Sequence, residues 1–165
     1  MDDIKNDFRV NYSNIERLDK QIGKLIQELK EDSLYENTII FFFSDHGGPF
    51  PRYKRSIYDT GIRCPLIIKW INKEDNSRNK QLISFVDFAP TMLDISGIKS
   101  SNTMEGISFF NKNIREYIFA ATDRFDESVD QRRCVRTKKF KLILNLDTSS
   151  SVCKENNYRK QMKTM

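Results

Sequence analysis

Between Ile15 and Leu29 the apolar residues Ile15, Leu18, Ile22, Leu25, Ile26 and Leu29 recur three or four positions apart. Asp19, Lys20, Lys24, Glu28 and Lys30 occupy the remaining positions. This is the 3.6-residue period of an amphipathic helix, and it predicts one from Asn11 to Lys30 with its apolar stripe packed on a sheet. The pattern changes after Thr38, where Ile39, Ile40, Phe41, Phe42 and Phe43 follow without a polar break. Such a run predicts a strand buried on both faces, as in a parallel α/β sheet. Leu66-Ile67-Ile68 predicts a second strand, and Leu82 to Val86 a short strand or approach segment. Pro90 suits the first turn of a helix running through Ile95, and Gly97 suits its end.

Later strands are predicted at Tyr117–Ala121, Arg133–Arg136 and Phe140–Leu146. In the last, Phe140, Leu142, Leu144 and Leu146 alternate with Lys141, Ile143 and Asn145, the period of a half-exposed antiparallel strand. Asn72 to Lys80 is polar and predicts an exposed loop, as does the Lys-rich stretch from Thr148 onward. The Ser/Asn-rich Lys99 to Thr103 segment is the best boundary. It separates an α/β part, residues 1–100, from a small antiparallel β part with a polar tail, residues 101–165.

Composition narrows the function classes. With 165 residues, 38% hydrophobic and 31% charged, the chain has the make-up of a single globular domain. Its apolar runs are too short to cross a bilayer, and the acidic opening Met1-Asp2-Asp3 does not read as a signal peptide. A net charge of +5 favours anionic partners only weakly, because no basic helix face or block of like charge stands out. No RNA-binding or helix-turn-helix signature is present, so neither nucleic acid nor membrane is expected as a partner. Cys64, Cys134 and Cys153 form no Cys-x-x-Cys pair and give no zinc signal; the first two read as buried thiols. Nothing in the sequence fixes an oligomeric state.

The candidate chemistry lies where the Phe41–Phe43 run stops, at Ser44-Asp45-His46-Gly47-Gly48. Ligands of open α/β sheets bind beyond the carboxyl ends of strands, and two glycines allow a sharp, close turn. Asp45 and His46 make a plausible metal pair there. Taken alone they read equally well as an Asx-turn aspartate and a histidine capping a turn. The following loop, residues 49–56, carries Arg52, Lys54 and Arg55. Lys54 offers a point charge suited to a tetrahedral oxyanion.

The wider stretch resembles the sulfatase family of the alkaline phosphatase superfamily. Ser44-Asp45-His46-Gly47 is followed by Lys54-x-x-x-Tyr58-x-x-Gly61-x-Arg63-x-Pro65-Leu66. Earlier Ile15-Glu16-Arg17-Leu18-Asp19 with Gly23, and later Phe85-Val86-Asp87-Phe88-Ala89-Pro90-Thr91-Met92-Leu93, are similar to the same family. Gly48-Pro49-Phe50-Pro51 and Arg133-Cys134-Val135-Arg136-Thr137 resemble the branch containing heparan N-sulfatase. The resemblance runs from Asn11 to Leu146.

It implies an α/β fold comprising part of an alkaline-phosphatase-like sheet with packing helices. It also implies hydrolysis of sulfate esters or N-sulfate groups, with a sulfated carbohydrate as substrate partner and an extracytoplasmic setting. One divalent cation, Ca2+ first, would be held by Asp45 and His46. Lys54 would contact sulfate as a catalytic and substrate-binding residue. By position alone, Arg52 beside Lys54 and Arg124 after the Tyr117–Ala121 strand read as further substrate contacts, or equally as a solvated loop arginine and a surface salt-bridge partner. The family's nucleophile is a formylglycine made from a Cys/Ser-x-Pro-x-Arg motif. Here Gly47, Pro49, Arg63 and Phe88 stand two residues before the four prolines, so the motif is absent. The chain is therefore expected to be a carboxyl-terminal sulfatase portion with no turnover alone. A truncated, non-catalytic relative that binds anionic glycans is one alternative, and a phosphatase or phosphodiesterase of the same superfamily is another.

Overall fold

A computed structural model describes residues 2–71, 77–110 and 115–148. The chain forms two compact units, Met1–Phe43 with Pro65–Asn76, and Ser44–Cys64 with Ser77–Met165.

The first unit begins with helix α1, Asp2–Glu31, nine residues longer at its start than the apolar stripe predicts. Residues 2–10 contain no Gly or Pro, so nothing interrupts the helix there. Exposed pairs one turn apart support it, including Lys20 Nζ to Glu16 Oε1 at 2.8 Å and Gln27 to Glu31 at 2.9 Å. It ends in a Schellman motif. The Ser33 N–H donates to the Lys30 carbonyl at 3.1 Å and the Leu34 N–H to that of Leu29 at 2.8 Å. Ser33 takes the left-handed position, φ 59°, where glycine is usual.

The stripe is not packed on a sheet as expected. Ile22, Ile26 and Leu29 are half-buried, whereas Ile15, Leu18 and Leu25 are 53%, 46% and 59% exposed. Within its unit α1 meets the short Tyr35–Asn37 turn that follows it.

Strands β1, Ile40–Phe43, and β2, Leu66–Lys69, form a two-stranded sheet. They run antiparallel, Ile40 opposite Lys69 and Phe43 opposite Leu66, and not parallel as the apolar run suggests. An unbroken apolar run reports that both faces are apolar; it carries no information on strand direction. Burial on both faces is also not seen. Residues 40–42 are half-buried and Phe43 is 44% exposed, since β1 has β2 as its one partner among the described residues. Lys69 anchors the end of the ladder, its Nζ donating to the Tyr35 and Thr38 carbonyls at 2.5 and 3.1 Å and lying 4.3 Å from the Tyr35 ring centre.

The second unit holds a loop with the short helix α2, Asp59–Ile62, then helix α3, Phe88–Ile95. It closes with a three-stranded antiparallel sheet of β3, Tyr117–Phe125, β4, Ser128–Thr137, and β5, Lys141–Asn145. Of the two readings of Leu82 to Val86, the approach segment is the one seen: it makes a single bridge, Leu82 to Arg115, because Phe85–Asp87 already turns as a 3-10 segment. Gly97 ends α3 as expected, at φ 68°, with the Ile98 N–H bonded to the Leu93 carbonyl at 2.8 Å.

The half-exposed reading of β5 holds, and its exposed half is the apolar one. Leu142 and Leu144 are 67% and 56% exposed, while Lys141, Ile143 and Asn145 face inward. Register puts Asp130, Arg132, Cys134 and Arg136 of β4 on that same inner face. Asp130 and Arg132, two positions apart and both buried, form an ion pair of 2.8 Å. Cys134 is a buried free thiol, as expected, and Cys64 is half-buried. Residues 77–80 are exposed, as expected of that loop; the expectations for residues 72–76, for the stretch after Thr148 and for Cys153 lie outside the described residues.

Candidate active site

The candidate turn follows β1 directly. Ser44 Oγ donates to the His46 carbonyl at 2.6 Å, which folds the backbone over Asp45. His46 Nδ1 lies 2.8 Å from the Gly47 carbonyl oxygen. A carbonyl only accepts, so Nδ1 carries a proton and donates it to this hydrogen bond. The other ring nitrogen, Nε2, is 3.5 Å from Asp45 Oδ2, with side chains 39% and 82% exposed. One carboxylate and one imidazole Nε2 are thus presented together, toward solvent.

The glycines are required by packing. The Gly47 N–H donates to the Gly61 carbonyl at 2.8 Å, and a Cβ on Gly47 would run into the Thr60 carbonyl. A Cβ on Gly61 would strike the carbonyls of Ser56 and Tyr53. The two strands of the loop meet backbone to backbone, and no larger residue fits between them.

Arg52, Lys54 and Arg55 are brought onto this same loop. Arg52 sits at φ 66°, and its carbonyl accepts both Ser56 Oγ at 2.8 Å and Thr60 Oγ1 at 2.5 Å. Lys54 is fixed through its backbone, N–H to the Gly48 carbonyl at 3.0 Å. Its side chain is exposed, and no ion pair ties its ammonium to a described residue. Arg124 lies at the end of β3, where its guanidinium donates to the Glu127 carbonyl at 3.2 Å. It serves its own hairpin turn in this structure. That turn nevertheless reaches the Lys54 loop, because Arg55 Nε pairs with Asp126 Oδ1 at 2.9 Å and the Arg55 guanidinium lies 5.8 Å from the Phe125 ring centre.

A second link was missed in the sequence. Asp59 accepts from Lys141 Nζ at 2.8 Å and from Arg136 Nη2 at 3.3 Å. Arg136 and Lys141 are direct cross-strand partners, an arrangement that repels unless an anion lies between them. The predicted strands flanking Lys138-Lys139 already place these two cations opposite each other, and that was the available signal. The Lys141 hydrogen bond holds the Asp59 carboxyl below its ordinary range against a smaller desolvation effect.

Asp87, 1% exposed, does structural work. Arg115 clasps it through Nε at 3.0 Å and Nη2 at 2.5 Å. The N–H groups of Ser84 and Ile107 donate to it at 2.9 and 3.0 Å. Burial by itself would raise this carboxyl, but those hydrogen bonds together hold it below its usual value. Thr91, fully buried, adds a bond from its hydroxyl to the Asp87 carbonyl and accepts the Phe109 N–H at 3.2 Å. The Asp87–Thr91 part of the Phe85–Leu93 motif therefore organises α3 and the segments around 107 and 115.

Calcium takes six to eight oxygen ligands, and Asp45 with His46 offers two side-chain donors, one of them nitrogen. The pair fits a share of a cation's sphere, and no group of three His, Cys, Asp or Glu side chains among the described residues makes a fuller one. The Cys64 thiol is pushed up by burial and then by the Asp45 charge, so it stays protonated beside the turn.

A family model described as sulfatase matches residues 3–98. An ulvan-active sulfatase of Formosa agariphila is 47% identical over 98% of this chain and 28% of its own length. The N-acetylglucosamine-6-sulfatase of Bos taurus is 34% identical over 64% of this chain and 20% of its own. A solved structure of a protein in complex with its substrate D-glucosamine-2-N,6-O-disulfate superposes with a TM-score of 0.67 at 26% identity, covering 83% of this chain and 31% of that one. The chain thus spans less than a third of the length of each of these proteins.

Proposed function

The chain belongs to the sulfatase family, and from that premise we propose that its Asp45–His46 turn and Lys54 are its share of a sulfate-handling active site. The reaction served is hydrolysis of a sulfate ester or N-sulfate on a carbohydrate, in keeping with the sulfated glucosamine named for two of the similar proteins. One observation carries the assignment. The Gly47 carbonyl accepts a hydrogen bond from His46 Nδ1, which leaves Nε2 as the ring nitrogen beside the Asp45 carboxylate. Metal-bound histidines are held in this way by a bond at their other nitrogen.

In this reading Asp45 and His46 hold a divalent cation, calcium first, as part of its ligand set. When bound, such a cation withdraws charge from the sulfate oxygens as the S–O bond breaks. Lys54, anchored by its backbone and free at its ammonium, places a second positive charge on a sulfate oxygen. Arg52 and Arg124 lie on the loop and hairpin joined by the Arg55–Asp126 pair, where they flank an anionic sugar. No position in the chain fits formylglycine, so no nucleophilic step is assigned to these residues. Binding of sulfated glycans without turnover is the second reading, favoured by the exposed Arg52 and Lys54.

His46 is the single histidine, so its ring gives an unambiguous magnetic resonance signal. Adding Mn2+ to the 165-residue chain is expected to broaden that signal selectively, and Asp45→Asn is expected to abolish the response. An unmoved His46 signal at saturating Mn2+ would remove the metal assignment and leave glycan binding as the better reading.

A further inference from the structure

We propose that Asp59, gripped by Lys141 and Arg136, is a positioning residue that sets the Asp45–His46 turn from the three-stranded sheet. The inference rests on the reading of that turn as the site, and it adds the residues that hold it. A short series of contacts leads from sheet to imidazole. Lys141 and Arg136, side by side on β5 and β4, hold the Asp59 carboxylate at 2.8 and 3.3 Å. Asp59 opens α2, and two residues on, the Gly61 carbonyl accepts the Gly47 N–H at 2.8 Å. The carbonyl of that same Gly47 accepts a hydrogen bond from His46 Nδ1 at 2.8 Å. The steps are hydrogen bonds joined by two pieces of backbone, Asp59 to Gly61 and Gly47 itself, and the two glycines leave no slack between the backbones.

A second grip lies four residues earlier in the loop. Arg55 and Asp126 pair at 2.9 Å, and both hold left-handed backbone angles, φ 67° and 53°. For residues with a Cβ this conformation costs energy and persists where surrounding contacts impose it. The segment between the grips, residues 55–59, is thereby fastened to the sheet at both ends. Lys54 stands immediately outside it. The side chains that make the grips do not touch the proposed cation or sulfate; they act through the backbone of the loop. Their purpose would otherwise be hard to see, since the like-charged Arg136–Lys141 pair weakens the sheet unless Asp59 is present.

The test reads the His46 ring nitrogens in the metal-free full chain by 15N magnetic resonance. The unmutated chain is expected to show one tautomer, protonated at Nδ1. Asp59→Asn and Lys141→Met are expected to lose it for the averaged signal of a free histidine. Lys141→Arg, which keeps the cation, is expected to restore it. Asp123→Asn breaks another ion pair of the sheet, Arg133–Asp123 at 2.7 Å, and is expected to leave His46 unmoved. Folded Asp59→Asn and Lys141→Met chains with an unchanged His46 signal would overturn the proposal. So would unfolding of both, which would make the contact a requirement for folding and not for position. Because no metal is added, failure here is separate from failure of the Mn2+ response, which bears on the site itself.

Discussion

The two units of the chain are stabilised by different means. In the first, α1 with β1 and β2, no described residue is buried. Several of its apolar side chains stand open, among them Leu25 at 59% and Ile67 at 62%. In the second, the interior exists and much of it is polar. Asp87, Thr91, Ser108, Asp130 and Arg132 are buried there alongside Ile57, Phe109, Phe125 and Cys134. The apolar outer face of its sheet, with Phe119 at 71% and Leu142 at 67%, is left in the open. Local pattern suffices to build the first unit's elements. The second unit depends on particular long-range ionic and hydrogen-bonded partners, and it is the one that carries the candidate site.

The sharpest way to break this contrast is to remove Asp87. Truncation to Ala leaves the Arg115 guanidinium without its carboxylate and strands the Ser84 and Ile107 N–H groups. Breaking a buried pair on one side costs about 3 kcal/mol or more, a large share of the stability of a small domain. The lone Trp70 lies in the first unit and the lone His46 in the second, so each unit has its own probe. Asp87→Ala is expected to collapse the His46 signal in a denaturant or thermal series well before Trp70 fluorescence changes. Coincident loss of both signals would show one cooperative unit, and the comparison would fail.

The same contrast explains what the sequence disclosed. Apolar patterning located α1, β1, β2 and β5, and Pro90 with Gly97 located α3, because each is marked by neighbours in sequence; of β3 and β4 only the parts Tyr117–Ala121 and Arg133–Arg136 were legible. It could not give the direction of β1 against β2, since Phe41 and Phe42 are apolar whichever way the partner runs. Nor could it show that Leu142 and Leu144 point out while Lys141 and Asn145 point in. Alternation defines two faces without saying which one is covered. At the site, Asp45, His46 and Lys54 stood out because they follow an abrupt end to an apolar strand. Asp59 did not, for its partners Arg136 and Lys141 are more than 75 positions away. Arg124, a candidate substrate contact by its place after a strand, bonds its own turn in this structure.

Acid should separate the units next. Asp59 is held low by the Lys141 hydrogen bond foremost. Asp87 is held low although burial opposes it, through Arg115 and two backbone N–H groups. A carboxyl whose folded value is depressed stabilises fully above its unfolded value, here 3.8. That contribution drains away as pH falls through the lower folded value. Both residues belong to the second unit. Its thermal midpoint, read at His46, is expected to hold above pH 4 and to fall below it, with Trp70 less affected. Equal acid sensitivity at both probes would mean that the Asp87 and Asp59 contacts do not set the difference.

The smallest effect tests the first unit directly. Leu25 lies on the α1 stripe yet is 59% exposed, and Ala is the better helix former. Leu25→Ala is therefore expected to move the Trp70 midpoint by no more than about 0.5 kcal/mol, the range of ordinary surface changes. A buried leucine would lose roughly 2–5 kcal/mol on the same change. A loss of that size would mean that the stripe is covered in solution, and its dependence on protein concentration would tell whether a second copy does the covering. Either outcome sharpens the comparison. The helix is specified by its own sequence, and a near-neutral Leu25→Ala would show that its apolar face adds little to the stability of this chain.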